Sequence, residues 1–209
     1  LGSAHPHTLI SMGNLAVTYQ KEGKWSKAEK VHIELMGKRQ KLLGPAHSHT
    51  LTSMEYLAIT YQKQGKWAEA EKLKVEEMEK RQQQLGPNHL DTLRTMGNLA
   101  ITYQKQGKLS EAEKLQVEVM EKRQQLLGPT HPDTLRIMTN LAVTYQKQGK
   151  WAEAEKLKTK VMEKRQQQLG PAHPHTLKIM ANLAAAYLKQ RKWAEAKKLR
   201  IEVMEIFSS

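Results

Sequence analysis

Cysteine is absent from all 209 residues, so neither a disulfide nor a thiolate can stabilise this chain or lend it chemistry. That absence leans towards a cytoplasmic home. No window holds the ~18 to 20 uninterrupted apolar residues that a membrane-spanning helix needs, and no basic, apolar leader opens the chain. The expectation is a soluble chain with no membrane partner. Aspartate is nearly missing, with Asp91 and Asp133 alone present. Glutamates fall mostly at repeating outer positions, serines lack a companion base, and no Gly-x-x-x-x-Gly-Lys-Ser/Thr loop occurs. Neither an enzyme nor a cofactor is expected.

Acid is the scarcer charge: 34 Lys and Arg face 21 Asp and Glu, a net +13 that raises the question of nucleic acid. Much of the basic excess, however, lies beside glutamates on the second helix of each unit described below. Aromatics are 5% of the chain, and rings on which bases could stack are lacking apart from Tyr56. Nucleic acid is therefore the least favoured partner.

What is present is repetition. Gly2, Gly44, Gly86, Gly128 and Gly170 are spaced by 42, as are His5, His47, His89, His131 and His173, and Thr8, Thr50, Thr92, Thr134 and Thr176. The stretch from Leu127 to Leu135 shows the joint: glycine suits a left-handed residue past a helix, Pro129 cannot continue that helix, and Pro132 suits the first position of the next. A fixed period predicts like units stacked on their neighbours, so the chain reads as a single repeat domain over 1–209. Its repeats run 1–43, 44–85, 86–127, 128–169 and 170–209. Opening directly on a repeat with Leu1, the chain is expected to be a fragment of a longer protein.

Each unit predicts two helices. In the fourth, helix A spans Pro132 to Gln148 with Leu135, Met138, Leu141, Ala142 and Tyr145 on one apolar stripe. It stops at Gly149, as its equivalents stop at Gly23, Gly65 and Gly107. Arg191 breaks that rule, predicting a strained positive φ or a reshaped turn. Helix B begins near Trp25, Trp67, Leu109, Trp151 and Trp193, burying Ala154, Leu157, Val161 and Met162 and their counterparts. Glu76 with Lys80 and Glu118 with Lys122 are predicted helical ion pairs. Alanines at Ala16, Ala58, Ala100, Ala142 and Ala184, and at Ala28, Ala70, Ala112, Ala154 and Ala196, allow close helix approach. Tyrosine recurs at one fixed place in every unit, and tryptophan at another in all but the third, which marks packing.

The run Asn140-Leu141-Ala142-x-x-Tyr145-x-x-x-Gly149-x-Trp151-x-x-Ala154 resembles the tetratricopeptide repeat, with a period of 42 in place of the roughly 34 usual for that family. The Leu-Gly-Pro-x-His-Pro-x-Thr joint resembles the longer kinesin-light-chain type. The near-identity of the units resembles the arrays that end many fungal and bacterial nucleotide-binding receptor-like proteins. The resemblance implies an all-α fold, a right-handed α-solenoid of five antiparallel helix pairs. It also implies a scaffold that binds a partner peptide along a concave face lined by helix A. One departure stands out: where the family often has an aromatic on helix B, this chain has His32, Lys74, Gln116, Lys158 and Arg200. Helix B is then expected to present a more solvated face.

Carried over residue by residue, the family's groove positions are Asn14, Asn98, Asn140 and Asn182, with Tyr56 in the second unit. An amide offers donor and acceptor to a peptide backbone. The competing reading is that Asn crosslinks neighbouring A helices. Seven residues on, Lys21, Lys63, Lys105, Lys147 and Lys189 fall on about the same face, and four residues before the Asn come Arg94, Arg136 and Lys178. A basic trough for an acidic peptide follows, unless the lysines are only solvated helix ends. The histidines could suggest a metal, but equivalents ~10 Å apart cannot share one ion whose ligands lie within about 4 Å of each other. A role in the joint is expected, and no metal site. Ile206 and Phe207 end the last helix apolar, raising head-to-tail self-association as a second function.

Overall fold

The structure, a computed structural model, describes residues 5–208, apart from the side chains of His175, Lys189, Phe207 and Ser208. Gly2 and the Phe207 side chain thus lie outside the described residues. The described residues hold ten helices and no strand. They divide into two compact units, Leu1–Lys108 and Leu109–Ser209. The first unit carries α1 (Pro6–Lys21), α2 (Trp25–Leu43), α3 (Ser48–Lys63), α4 (Trp67–Leu85) and α5 (Leu90–Gln106). The second carries α6 (Leu109–Leu127), α7 (Pro132–Lys147), α8 (Trp151–Leu169), α9 (Pro174–Lys189) and α10 (Trp193–Ser208). Within each unit every helix packs on the next in sequence. The fold class is the expected one, all-α and made of helix pairs.

The joints explain the recurring letters. His5, His47, His89 and His131 take extended backbone just ahead of a helix, and each ring Nδ1 accepts the backbone N–H two residues on, at 3.1–3.3 Å. The histidine is therefore an N-cap, satisfying one of the donors that a helix start leaves open. An accepting Nδ1 requires the neutral ring with its proton on Nε2. Thr50 and Thr92 donate their hydroxyls to the carbonyls of Gly44 and Gly86, both at 2.9 Å, which accounts for the fixed glycine-to-threonine spacing.

The joint glycine differs from the expectation. Gly86 has φ 86° and ψ 164°, positive but extended, in place of the expected left-handed helical geometry. That region is essentially restricted to glycine, because a Cβ there collides with its own backbone. The turn inside each pair is left-handed as predicted, with Gly107 at φ 82° and ψ 3°. Arg191 holds φ 58° at the equivalent place, the strained option of the two.

The small alanines of both helices are at most 3% exposed, and larger side chains close around them. Leu135, Met138 and Val161 form one core cluster, with Met180, Leu183, Ala184 and Leu199 forming another. Glu76–Lys80 and Glu118–Lys122 pair at 3.2 and 2.6 Å as predicted. The solvated helix B face is corrected for three units. His32, Lys74 and Gln116 are 1%, 2% and 0% exposed, because the following helix A covers them. The side chains are only partly matched there: His32 stacks on Tyr56, the Gln116 carbonyl accepts from Thr144 at 2.6 Å, and Lys74 lies in the field of Glu77 and Glu55, while both His32 nitrogens and the Gln116 amide nitrogen find no hydrogen-bond partner. Arg200 alone is fully at the surface.

Candidate functional site

In α3, α5 and α7, helix A buries most of its surface and leaves one stripe to solvent. In α7 this stripe is Arg136, Asn140, Val143 and Lys147, steps of four, three and four that keep to one face of a 3.6-residue helix. The same places elsewhere put Asn14, Tyr56 and Asn182 at the surface and leave Asn98 and Asn140 half-buried. Lys21, Lys63, Lys105, Lys147, Arg136 and Lys178 are exposed, and Arg94 is half-buried. The side chain of Lys189 lies outside the described residues. Wherever they are described, the thirteen positions named from the sequence are exposed or half-buried.

One of these clusters is engaged from within. Arg94 Nη1 on α5 donates to both carboxylate oxygens of Glu55 on α3, at 2.7 and 2.8 Å, and Asn98 Nδ2 donates to Oε1 at 3.1 Å. Burial works against the charge on Arg94, but the carboxylate outweighs it and holds the guanidinium above its ordinary value. Asn98 therefore crosslinks two A helices here, the competing reading for this residue type. Beneath lies α4, where Arg81 Nε and Thr95 Oγ1 both donate to Glu77 Oε1, at 2.9 and 3.0 Å. Burial pushes Glu77 up despite these bonds, and burial pushes Lys74 down. Tyr56, on α3, spends one ring face on His32.

Sequence reading missed Glu55, an acid on an otherwise basic stripe. It also missed a ladder at the base of each pair. Lys66, Lys108, Lys150 and Lys192 bind Glu29, Glu71, Glu113 and Glu155 at 2.6–2.8 Å, each acid lying 37 residues earlier. The same ammonium groups sit 5.4–5.7 Å from the ring centres of Tyr61, Tyr103, Tyr145 and Tyr187. The clue was available, since a lysine follows each inner-turn glycine at the same period. Arg39 and Arg123, basic letters near helix ends, reach the next helix A and donate to the carbonyls of His49 and Asp133.

Among the described residues no three metal-ligating side chains come together, and no helix is long and apolar enough to cross a membrane. A cavity of ≈ 280 Å³ opens between α7, α8 and α9, lined by Thr139, Gln146, Lys158 and Asn182 among others.

Paired helices, a fixed period and capped joints define a helical-repeat protein. The tetratricopeptide repeat matches residues 7–76, 50–121, 103–163 and 138–209, and the chain belongs to that family. A Podosopora anserina kinesin light chain built of nearly identical TPR-like repeats is 30% identical, with a TM-score of 0.85 over 98% of this chain and 97% of that one. A point variant of that protein is 27% identical, with a TM-score of 0.85 over 99% and 96%. BtubC (BKLC) from P. vanneervenii shares the fold at 21% identity, TM-score 0.81, over 97% and 80%. Comparison with curated proteins gave no match. The repeats are thus of the kinesin-light-chain-like class, and such arrays are typical protein–protein interaction scaffolds.

Proposed function

We propose that this chain is a non-catalytic scaffold that binds an acidic segment of a partner protein along the exposed stripe of its A helices. The carrying observation is the grip of Arg94 and Asn98 on Glu55, because it displays what this residue pairing accepts: a carboxylate. The lysines seven residues beyond each Asn position add like charge to the same stripe. Charge-assisted hydrogen bonds of about 1.5 to 3 kcal/mol each would set the register of an extended guest. Nucleic acid gains little support, since Tyr56 is already stacked on His32.

Isothermal titration with acetyl-(Gly-Glu)5-amide and acetyl-(Gly-Lys)5-amide tests this reading. The acidic peptide should bind, the basic one should not, and Lys105→Glu with Lys147→Glu should weaken binding at least tenfold. A wild type that does not prefer the acidic peptide would refute it, and equal affinity in wild type and double variant would remove the lysines from the stripe.

Head-to-tail self-association draws support from Ile201 and Met204, which stand 43% and 68% exposed on α10. Two observations weigh against it. Ile206 is turned into its own core beside Met180 and Leu199. Lys197 occupies the place of Glu29, Glu71, Glu113 and Glu155, so a stacked copy would set its Lys24 against a lysine. Sedimentation velocity between micromolar and millimolar chain decides it: a constant mass excludes assembly.

A further inference from the structure

Nearly identical repeats differ most tellingly where helices A and B of one unit meet helix A of the next. Between α2 and α3 that place is filled by the His32–Tyr56 ring stack. Between α3, α4 and α5 it is filled by Glu55, held by Arg94 and Asn98 above the buried Lys74. Between α7, α8 and α9 the same positions hold Thr139, Lys178, Asn182 and Lys158, and there the cavity of ≈ 280 Å³ lies open.

Relative to the Glu55 site, three shorter side chains leave that space open. Thr139 stands where Glu55 stands, and its short hydroxyl turns back to the carbonyl of Leu135 at 2.8 Å. Ala185 replaces the isoleucine or valine of the other units, namely Val17, Ile59, Ile101 and Val143. Ala186 replaces threonine, and the consequence is chemical as well as steric. Gln62 donates to the hydroxyl of Thr102 at 2.7 Å, whereas its equivalent Gln146 faces an alanine that has no oxygen to offer. The cavity keeps the cationic and amide residue types of the Glu55 site while lacking the carboxylate that fills it.

We propose that this cavity is the anchor subsite of the chain, receiving one glutamate side chain of the acidic partner segment in the place that Glu55 fills between α3 and α5. The inference rests on the acidic-partner reading and narrows it to one pocket. At ≈ 280 Å³ it stands at the small end of the ~300–1,000 Å³ range of ligand pockets and has room for one side chain. Asn182 takes the part of Asn98, Lys158 is the cation of the lining, and Gln146 supplies a further amide donor, while Lys178 stands outside the lining at the position equivalent to Arg94. The apolar walls, Val143, Val161 and Ile179, strengthen the charge-assisted bonds by keeping water back.

The test uses the whole 209-residue chain, acetyl-(Gly-Glu)5-amide as probe, and methyl NMR of Ile179 beside calorimetry. With wild type the Ile179 methyl should shift on titration. Thr139→Glu should plug the site as Glu55 does: Ile179 shifts without peptide, and affinity falls about tenfold or more, the worth of one charge-assisted bond. Asn182→Ala, at an exposed position, should weaken binding without affecting the melt. If the peptide binds and Lys105→Glu/Lys147→Glu weakens it while Thr139→Glu and Asn182→Ala do not, the pocket is overturned and the acidic-stripe reading survives. If Thr139→Glu and Asn182→Ala weaken binding but the lysine variant does not, the pocket stands and the lysine stripe falls. No binding to wild type overturns both.

Discussion

The imidazole of His32 lies parallel to the ring of Tyr56, planes 1° apart and centres 5.8 Å apart, with neither of its nitrogens hydrogen-bonded. Burial, helped by the charge of Arg39, pushes this imidazole down to about 4 from 6.5. The folded value is below the unfolded one, so the unfolded chain takes the proton first. The associated stability is complete above about 6.5 and is lost as pH falls towards 4, by at most ~3 kcal/mol. His32→Phe keeps the stack and removes the titration. Scanning calorimetry from pH 7 to pH 4 should show the wild-type Tm falling faster than the variant's; parallel curves would absolve His32.

Lys74 is 2% exposed and lies among Glu55, Glu77, Arg81 and Arg94. Two acids and two arginines balance without it, so the ammonium is desolvated for little gain. Lys74→Met is expected to raise stability by about 1 kcal/mol, read as an increased urea midpoint at unchanged m-value. Glu77→Gln should do the opposite, since it strips Arg81 of its carboxylate.

Arg191 adopts φ 58° where four other units use glycine. Arg191→Gly should stabilise the chain by about 1 kcal/mol, and Gly149→Arg should destabilise it by a similar amount. A thermal melt measures both, and a loss with Arg191→Gly would mean that the guanidinium makes up the strain.

Glu29, Glu71 and Glu113 respond to acid in one sense. Burial opposes their charge, yet the bonds from Lys66, Lys108 and Lys150 and from neighbouring glutamines win and hold each carboxyl below 4.5. Their contribution is complete above about 4.5 and disappears as pH falls below it. The lysines are largely solvated, so Glu71→Gln should cost less than the loss of a helix cap. Melts at pH 7 and pH 3 should differ for wild type by more than for a Glu71→Gln/Glu113→Gln variant.

His131→Ala removes the Nδ1 acceptor from the N–H of Asp133 and should cost about 1 kcal/mol. His131→Asn supplies another acceptor at the same position and should recover most of it. Amide exchange at Asp133 reports directly: it should quicken in the alanine variant and stay slow with asparagine.

The helices were legible because their stops and starts are spelled by residues with few other uses. Pro132 and Trp151 open α7 and α8, and Gly149 stands in the short turn between them. The exposed stripe was legible for the same reason, since Arg136, Asn140 and Lys147 obey the helical period. What stayed hidden depends on neighbours 37 to 43 residues away. Nothing within α3 reveals that Glu55 meets Arg94 and Asn98, and nothing within α4 reveals that Lys74 is covered by α5. Residue type misled at that point, because lysine and histidine are normally surface letters and only the following helix decides otherwise.

The lysine–glutamate rungs carry a constant offset of 37 residues, so each rung is addressed to the preceding copy and to no absolute place in the chain. Excise one whole copy, and Lys150 meets Glu71 as readily as it met Glu113. Gain or lose part of a copy, and the rung that spans the break loses its offset while those downstream keep theirs. An array wired in this way can lengthen or shorten by unequal exchange in whole steps, changing its reach while its seams stay intact.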